Sequence, residues 1–171
     1  MVELLLKLAG REYKHYSVRH YLLDALRERN MPPSRDNMRD LANELRNLNS
    51  PSFIVEELLH LAMKSETNAV IESIRTIGEV SSLRSICGPE FTLVAIDADR
   101  QTRYERICSR ASETDSVTFE QWVKQEEMEM YGSDPSKQNL QACIELADVR
   151  LDNSETFDKL EYQVQCMLSQ L

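Results

Sequence analysis

The sequence predicts an α/β domain of three layers, with a mostly parallel sheet flanked by helices. Three observations predict it. Up to about Lys64 the apolar residues recur at helical spacing, and at Asn68–Arg75 the period becomes strand-like. Phe91–Ala98 is a near-continuous apolar run with Asp97 near its carboxyl end, the pattern of a strand buried in a parallel sheet. Segments with helical spacing then separate the strand-like ones, which implies strand–helix–strand crossovers.

Met1–Leu8 reads as a helix closed by Gly10. Glu12–Ser17, with Tyr13 and Tyr16, is short, aromatic and strand-like. Val18–Asn30 carries Val18, Leu22, Ala25 and Leu26 on one helical face and stops at Pro32-Pro33. Ser34 or Asp36 caps the next helix, whose stripe is Met38, Leu41, Ala42 and Leu45. Ser50-Pro51 predicts a cap followed by proline at the first helical position, with the helix running to about Lys64. Asn68–Arg75 is predicted as a strand, Thr76–Ser85 as a helix ended by Gly88-Pro89, and Phe91–Ala98 as a strand. Arg100–Arg110 is a helix, and Thr118-Phe119-Glu120-Gln121 is a capping box opening another. Asp134-Pro135 is expected to open a helix through Ala147. Asp148–Asp152 is a short strand and Ser154–Leu171 a closing helix.

Composition narrows the function. The chain has 171 residues, of which 42% are hydrophobic, enough for a sizeable core in a single domain spanning 1–171. It carries 29 acids against 20 bases, a net charge of −9, so it is a poor general binder of nucleic acid or anionic membrane. No run approaches the ~18 apolar residues of a membrane span. Met1–Lys7 turns acidic too early for a signal peptide. Cys87, Cys108, Cys143 and Cys166 form no CxxC pair, which suits a reduced, cytoplasmic protein. The four glycines stand singly and start neither GxxxxGK[ST] nor GxGxxG. His15, His20 and His60 make no HExxH, no HxE is followed by PCxxC, and no GxSxG occurs, so no metal site is expected.

Ligands of parallel α/β sheets bind beyond the carboxyl ends of the strands. Ser17, Arg19, Glu72, Arg75, Asp97, Asp99 and Asn153 fall there. Arg19 and Arg75 each follow a predicted strand, and together they would clamp a phosphate or carboxylate; the alternative is that each pairs with a nearby acid. Arg103, Arg106 and Arg110 share one helix face, suited to a polyphosphate or else simply solvated. Glu72 could orient an acceptor hydroxyl or a water on magnesium, or be a satisfied strand-end carboxylate, as could Asp97. Glu126-Glu127-Met128-Glu129 reads as an exposed helix face, Cys143 as core, and Trp122 with Phe119 as packing beneath a helix.

In order, Tyr16-Ser17-Val18-Arg19, Ile71-Glu72-Ser73-Ile74-Arg75, Val94-Ala95-Ile96-Asp97-Ala98, Arg103-Tyr104-Glu105-Arg106, and Glu145-Leu146-Ala147-Asp148 with Asn153 span nearly the whole chain. This series resembles the P-loop nucleotide kinases of the adenylate kinase and dephospho-CoA kinase type. The resemblance implies a P-loop kinase-like fold with a lid-like helical segment near 103–140. It implies Ser17, Arg19 and Arg75 on the phosphate-bearing acceptor, with Glu72, Arg103, Arg106 and Arg110 serving the transfer. Asn153 would lie on the cofactor side, and the donor would be ATP with Mg.

One departure carries weight. In that family a first strand and a Gly-rich loop with Lys-Ser/Thr precede the first helix. This chain starts at what the resemblance reads as the middle of that helix, so an amino-terminally truncated, poorly catalytic member is expected. The loop's N–H groups and lysine cradle the donor phosphates. Similar kinase-like domains also precede the zinc domain of some deoxycytidylate deaminases. The competing expectation is therefore a non-catalytic module that binds a nucleotide or a protein partner and regulates.

Overall fold

The computed structural model describes residues 2–9, 13–65, 67–110, 118–132 and 138–171, without the side chains of Arg35 and Arg110. The chain divides into two compact units, Met1–Phe91 and Thr92–Leu171. Both are α/β, with short parallel strands.

The first unit contains α1 (Val2–Leu8), β1 (Tyr13–Ser17), α2 (Val18–Glu28), α3 (Arg35–Leu48), α4 (Phe53–Met63), β2 (Asn68–Glu72) and α5 (Ile77–Cys87). β1 and β2 pair in parallel, Tyr13 opposite Asn68 and Ser17 opposite Glu72. Successive side chains alternate between faces. Tyr16 and Ile71 therefore join the apolar core, while His15, Ser17 and Glu72 share the other face. The core is built from Leu22 and Leu26 of α2, Leu41 and Ala42 of α3, Ile54, Val55, Leu58, Leu59 and Ala62 of α4, and Leu83 of α5. The stripe expected on α2 is thus the buried one, and Met38 and Leu45 of α3 pack against its edge. The Ser34 hydroxyl accepts the Asn37 N–H at 3.1 Å, as a cap requires.

Two boundaries differ from the sequence expectation. Pro51 is not the first residue of α4. The Phe53 N–H donates to the Ser50 carbonyl at 3.1 Å, closing a turn through Pro51, and the helix starts after Ser52. The second strand stops at Glu72 rather than Arg75. Ser73 has φ of 66°, a left-handed conformation costly for a residue with a side chain, and it turns the chain out of the ladder.

What holds that turn is a buried carboxylate. The Thr76 hydroxyl accepts the Glu79 N–H at 3.0 Å, and Glu79 Oε2 accepts the N–H groups of Thr76 (3.1 Å) and Arg75 (2.8 Å). Glu79 Oε1 accepts from Arg46 Nη2 of α3 at 3.0 Å. The Glu79 side chain is 1% exposed and that of Arg46 11%. At its other end α5 closes on Gly88, whose φ of 57° suits glycine.

The second unit contains β3 (Val94–Asp97), α6 (Arg100–Arg110), α7 (Phe119–Met130), α8 (Leu140–Glu145), β4 (Val149–Asp152) and α9 (Phe157–Leu168). β3 and β4 pair in parallel, Val94 opposite Val149 and Asp97 opposite Asp152. The Leu93 N–H donates to Asp148 Oδ2 at 2.8 Å, and the Asn153 N–H to the Asp97 carbonyl at 2.6 Å, so side-chain and loop bonds extend the short ladder. Gln163 of α9 bonds both the N–H and the carbonyl of Asp152, covering polar backbone on β4. The apolar run expected over Phe91–Ala98 gives a shorter strand, and Ile96 is 41% exposed. Among the described residues the strands thus form two separate parallel pairs.

Thr118 and Gln121 make the expected capping box at the start of α7. α8 is shorter than expected and is capped by Asn139, and α9 begins at Phe157 after Thr156 instead of at Ser154. The expected cap at Gly10 and helix start at Asp134-Pro135 lie outside the described residues. Among the described residues no helix is long and apolar enough to cross a membrane.

Removing one partner of a buried ion pair strands the other charge, at a cost of about 3–5 kcal/mol. Arg46→Met is expected to lower the unfolding free energy of the first unit by about that amount in urea titration; a loss under ~1 kcal/mol, the scale of exposed pairs, would contradict the geometry.

Glu56 of α4 accepts hydrogen bonds from the Ser52 hydroxyl at 2.6 Å and from the Ser82 hydroxyl. These two bonds, that of Ser52 foremost, outweigh burial and hold its carboxyl below its ordinary value of 4.5. A depressed carboxyl contributes stability that is present above the unfolded value and lost as pH falls through the folded one. The stability advantage of the parent over Glu56→Gln is therefore expected to be full at neutral pH and to be lost as pH falls below the ordinary carboxyl range, through the lowered folded value, in parallel urea titrations. A pH-independent difference would contradict it.

Candidate functional site: two strand-end edges

The first edge lies at the carboxyl ends of β1 and β2. The Ser17 hydroxyl accepts the His20 N–H at 3.4 Å, capping α2, and donates to Glu72 Oε1 at 2.6 Å. Both follow from local sequence: serine at the strand-to-helix junction is a capping residue, and parallel pairing sets it opposite Glu72. His15, two residues back on the same face, holds Nε2 3.8 Å from the same carboxylate oxygen. That nitrogen is shielded and has no hydrogen-bond partner among the described residues. Arg19 lies in the first turn of α2, exposed. Arg75 lies in the turn after β2, half-buried, its N–H fixed by Glu79. The structure thus joins Ser17 and Glu72 directly and sets Arg19 and Arg75 beyond the same end of one strand pair.

The second edge lies at the carboxyl ends of β3 and β4. Asp99 caps α6, accepting from the Thr102 N–H at 2.9 Å and the Thr102 hydroxyl at 2.6 Å. Those bonds, the hydroxyl's first, hold the Asp99 carboxyl below its usual range. Asp152 is likewise held down by the Ser154 hydroxyl and N–H. Arg103 Nη1 donates to Asp97 Oδ1 at 2.6 Å and to the Ala98 carbonyl, and Arg103 Nε donates to Glu126 Oε1 of α7 at 2.7 Å. Burial alone would lower the Arg103 guanidinium; the bonds and charges of Glu126 and Asp97 outweigh it and raise it. Arg106 Nη1 donates to the Asn153 carbonyl at 2.5 Å. Arg103, Arg106 and Asn153 are therefore neighbours, linked through backbone and carboxylates. The Arg110 side chain lies outside the described residues.

The acidic run on α7 is not uniformly an exposed face. The Glu126 side chain is 11% exposed and bonded to α6, while Glu127 is half-exposed and Met128 points to solvent. Glu126 follows Trp122 by one helical turn, and Trp122 is buried against Tyr104 of α6, with ring centroids 5.5 Å apart. That spacing is the sequence signal that could have singled Glu126 out. For Glu79 the signal is the Thr76-x-x-Glu79 capping box. Nothing local marks Arg46 or His15.

The resemblance carries ATP with Mg as the donor. Among the described residues no group of three or more His, Cys, Asp or Glu side chains converges on a metal site. Arg103 and Arg106 are engaged with protein groups, and the chain contains no GxxxxGK[ST]. The first edge, by comparison, has the exposed Arg19 and the Glu72 carboxylate bonded to Ser17.

No family model matches the chain. It is similar to a UPF0200 protein of Methanoculleus marisnigri, 28% identical over 153 residues that make up 86% of this chain and 80% of the relative. A UPF0200 protein of Halobacterium salinarum is 28% identical over 148 residues, 84% of this chain and 73% of the relative. One of Methanococcus vannielii is 30% identical over 139 residues, 80% of this chain and 71% of the relative. At 30% identity to a relative of which it covers 71%, the chain belongs to the UPF0200 family.

Proposed function

We propose that the chain is a nucleotide-kinase-like α/β protein that binds a nucleotide monophosphate at the carboxyl ends of β1 and β2. The observation that carries this reading is the Ser17–Glu72 contact, with Arg19 and Arg75 following those two strands. A guanidinium gives a phosphate charge-assisted, geometrically matched hydrogen bonds. The Glu72 carboxylate, steadied by Ser17, has lone pairs left for a ribose or acceptor hydroxyl. In an acidic protein the exposed Arg19 gives an incoming anion a local cation.

The second reading is the same binding without chemistry, as a regulatory module with a protein partner. The observation favouring it is the engagement of Arg103 with Asp97 and Glu126, which leaves that arginine neutralised at rest. Both readings expect no phosphoryl transfer by this chain acting alone.

Calorimetry with adenosine monophosphate tests the binding. The parent is expected to bind weakly, and Arg19→Ala and Arg75→Ala to bind about tenfold more weakly, the loss of one charge-assisted bond of roughly 1.5 kcal/mol. Silence from the parent, or variants that bind equally well, would overturn the reading. ATP-dependent phosphorylation of nucleotides or dephospho-CoA is expected at background; a turnover of ~1 s⁻¹, within the ordinary enzyme range, would overturn the expectation of no transfer.

A further inference from the structure

His15 Nε2 is shielded from solvent and has no hydrogen-bond partner among the described residues, yet it lies 3.8 Å from Glu72 Oε1. Shielded polar atoms nearly always have a partner, so an exception calls for a physical reason. Ser17 donates to the same oxygen at 2.6 Å, and neither contact involves Oε2. Strand register brings the three together. His15 and Ser17 stand two residues apart on one face of β1, and Ser17 is the register partner of Glu72.

A neutral imidazole carries hydrogen on one ring nitrogen, a protonated one on both. With both protonated, Nε2 becomes a charged donor beside a carboxylate oxygen, and an approach of about 1 Å brings the pair to hydrogen-bonding distance. The elements packed against β1 are α1, α2, α4 and β2. Glu3 and Lys7 of α1, Arg19 and His20 in the first turn of α2, and Glu57 and His60 of α4 are exposed to water. Glu56 of α4 is taken by Ser52 and Ser82. Among the described residues, the charged group in ion-pair reach of His15 is Glu72 of β2.

We infer that His15 is a proton-operated switch on Glu72: protonated by solvent, it closes on Oε1, offsets the carboxylate charge and strengthens anion binding at the first edge. The anion rests on the acceptor-edge reading above; the switch itself rests on the His15–Glu72 geometry. Closure leaves Oε2 with its lone pairs for a ligand hydroxyl, while the charge an incoming phosphate meets becomes more favourable. Histidine is suited to this because its charge changes between about pH 5 and 8.

Calorimetry with adenosine monophosphate on the full chain, at fixed ionic strength and at about pH 8 and about pH 6, tests the switch. At the higher pH the parent, His15→Gln and His15→Asn are expected to agree within about twofold. At the lower pH the parent is expected to bind about threefold more tightly than either variant, the scale of one partly exposed charge pair. The nucleotide gains its own proton over this range, and comparing proteins at one pH cancels that effect. His20→Gln, at an exposed histidine, is expected to follow the parent throughout. Nucleotide binding with no gain of the parent over the His15 variants at the lower pH would overturn the switch and leave the acceptor edge standing. So would loss of the gain in His20→Gln alone. Amide NMR without nucleotide separates the two proposals. The Ser17 and Glu72 amides are expected to shift between the two pH values in the parent and to stay in place in His15→Gln. That pattern with no nucleotide heat at either pH sinks the acceptor edge and keeps the His15–Glu72 closure. Amides that move equally in parent and variant overturn the closure.

Discussion

Glu79 is a carboxylate buried in the first unit with almost no water around it, and three donors share its charge. The N–H groups of Arg75 and Thr76 meet one oxygen and Arg46 meets the other, while the Thr76 hydroxyl accepts the Glu79 N–H. A buried charge is tolerable only when its hydrogen-bonding capacity is filled. The backbone between Ser73 and Thr76 therefore has little freedom, and the unfavourable φ at Ser73 is held in place by its neighbours. That stretch ends β2, starts α5 and carries Arg75. Through this carboxylate, α3 and α5 are tied to the turn that carries Arg75.

The two strand-end edges share a geometry and differ in electrostatics. Each sits beyond a parallel pair, with a capped helix following the first strand: Ser17 caps α2 and Asp99 caps α6. At the first edge the exposed Arg19 faces water and Glu72 is braced by a neutral hydroxyl. At the second, Asp97 and Glu126 already neutralise Arg103, and Arg106 is spent on a backbone carbonyl. An anion reaching the first edge meets Arg19 in water. One reaching the second needs to displace a carboxylate.

Elements whose signals are local were legible in the sequence. The stripe on α2, the cap at Ser34 and the box at Thr118–Gln121 each depend on residues three or four apart, and the structure has all three. The contact of Ser17 with Glu72, by contrast, needed the pairing of β1 with β2. Features fixed by distant residues were not legible. The early end of β2 depends on a backbone angle at Ser73 that a serine does not advertise. Arg46 meets Glu79 across 33 positions of sequence, and Arg103 meets Glu126 across 23. An acidic run looks solvated until a buried tryptophan one turn earlier shows which of its members faces inward.

Residue-resolved amide NMR with adenosine monophosphate tests the central claim most directly, because it reports where an anion lands. Shifts concentrated at residues 17–20 and 72–76 are the predicted result, since those amides surround Ser17, Arg19, Glu72 and Arg75. Shifts confined to other segments, or none at saturating nucleotide, would contradict the account.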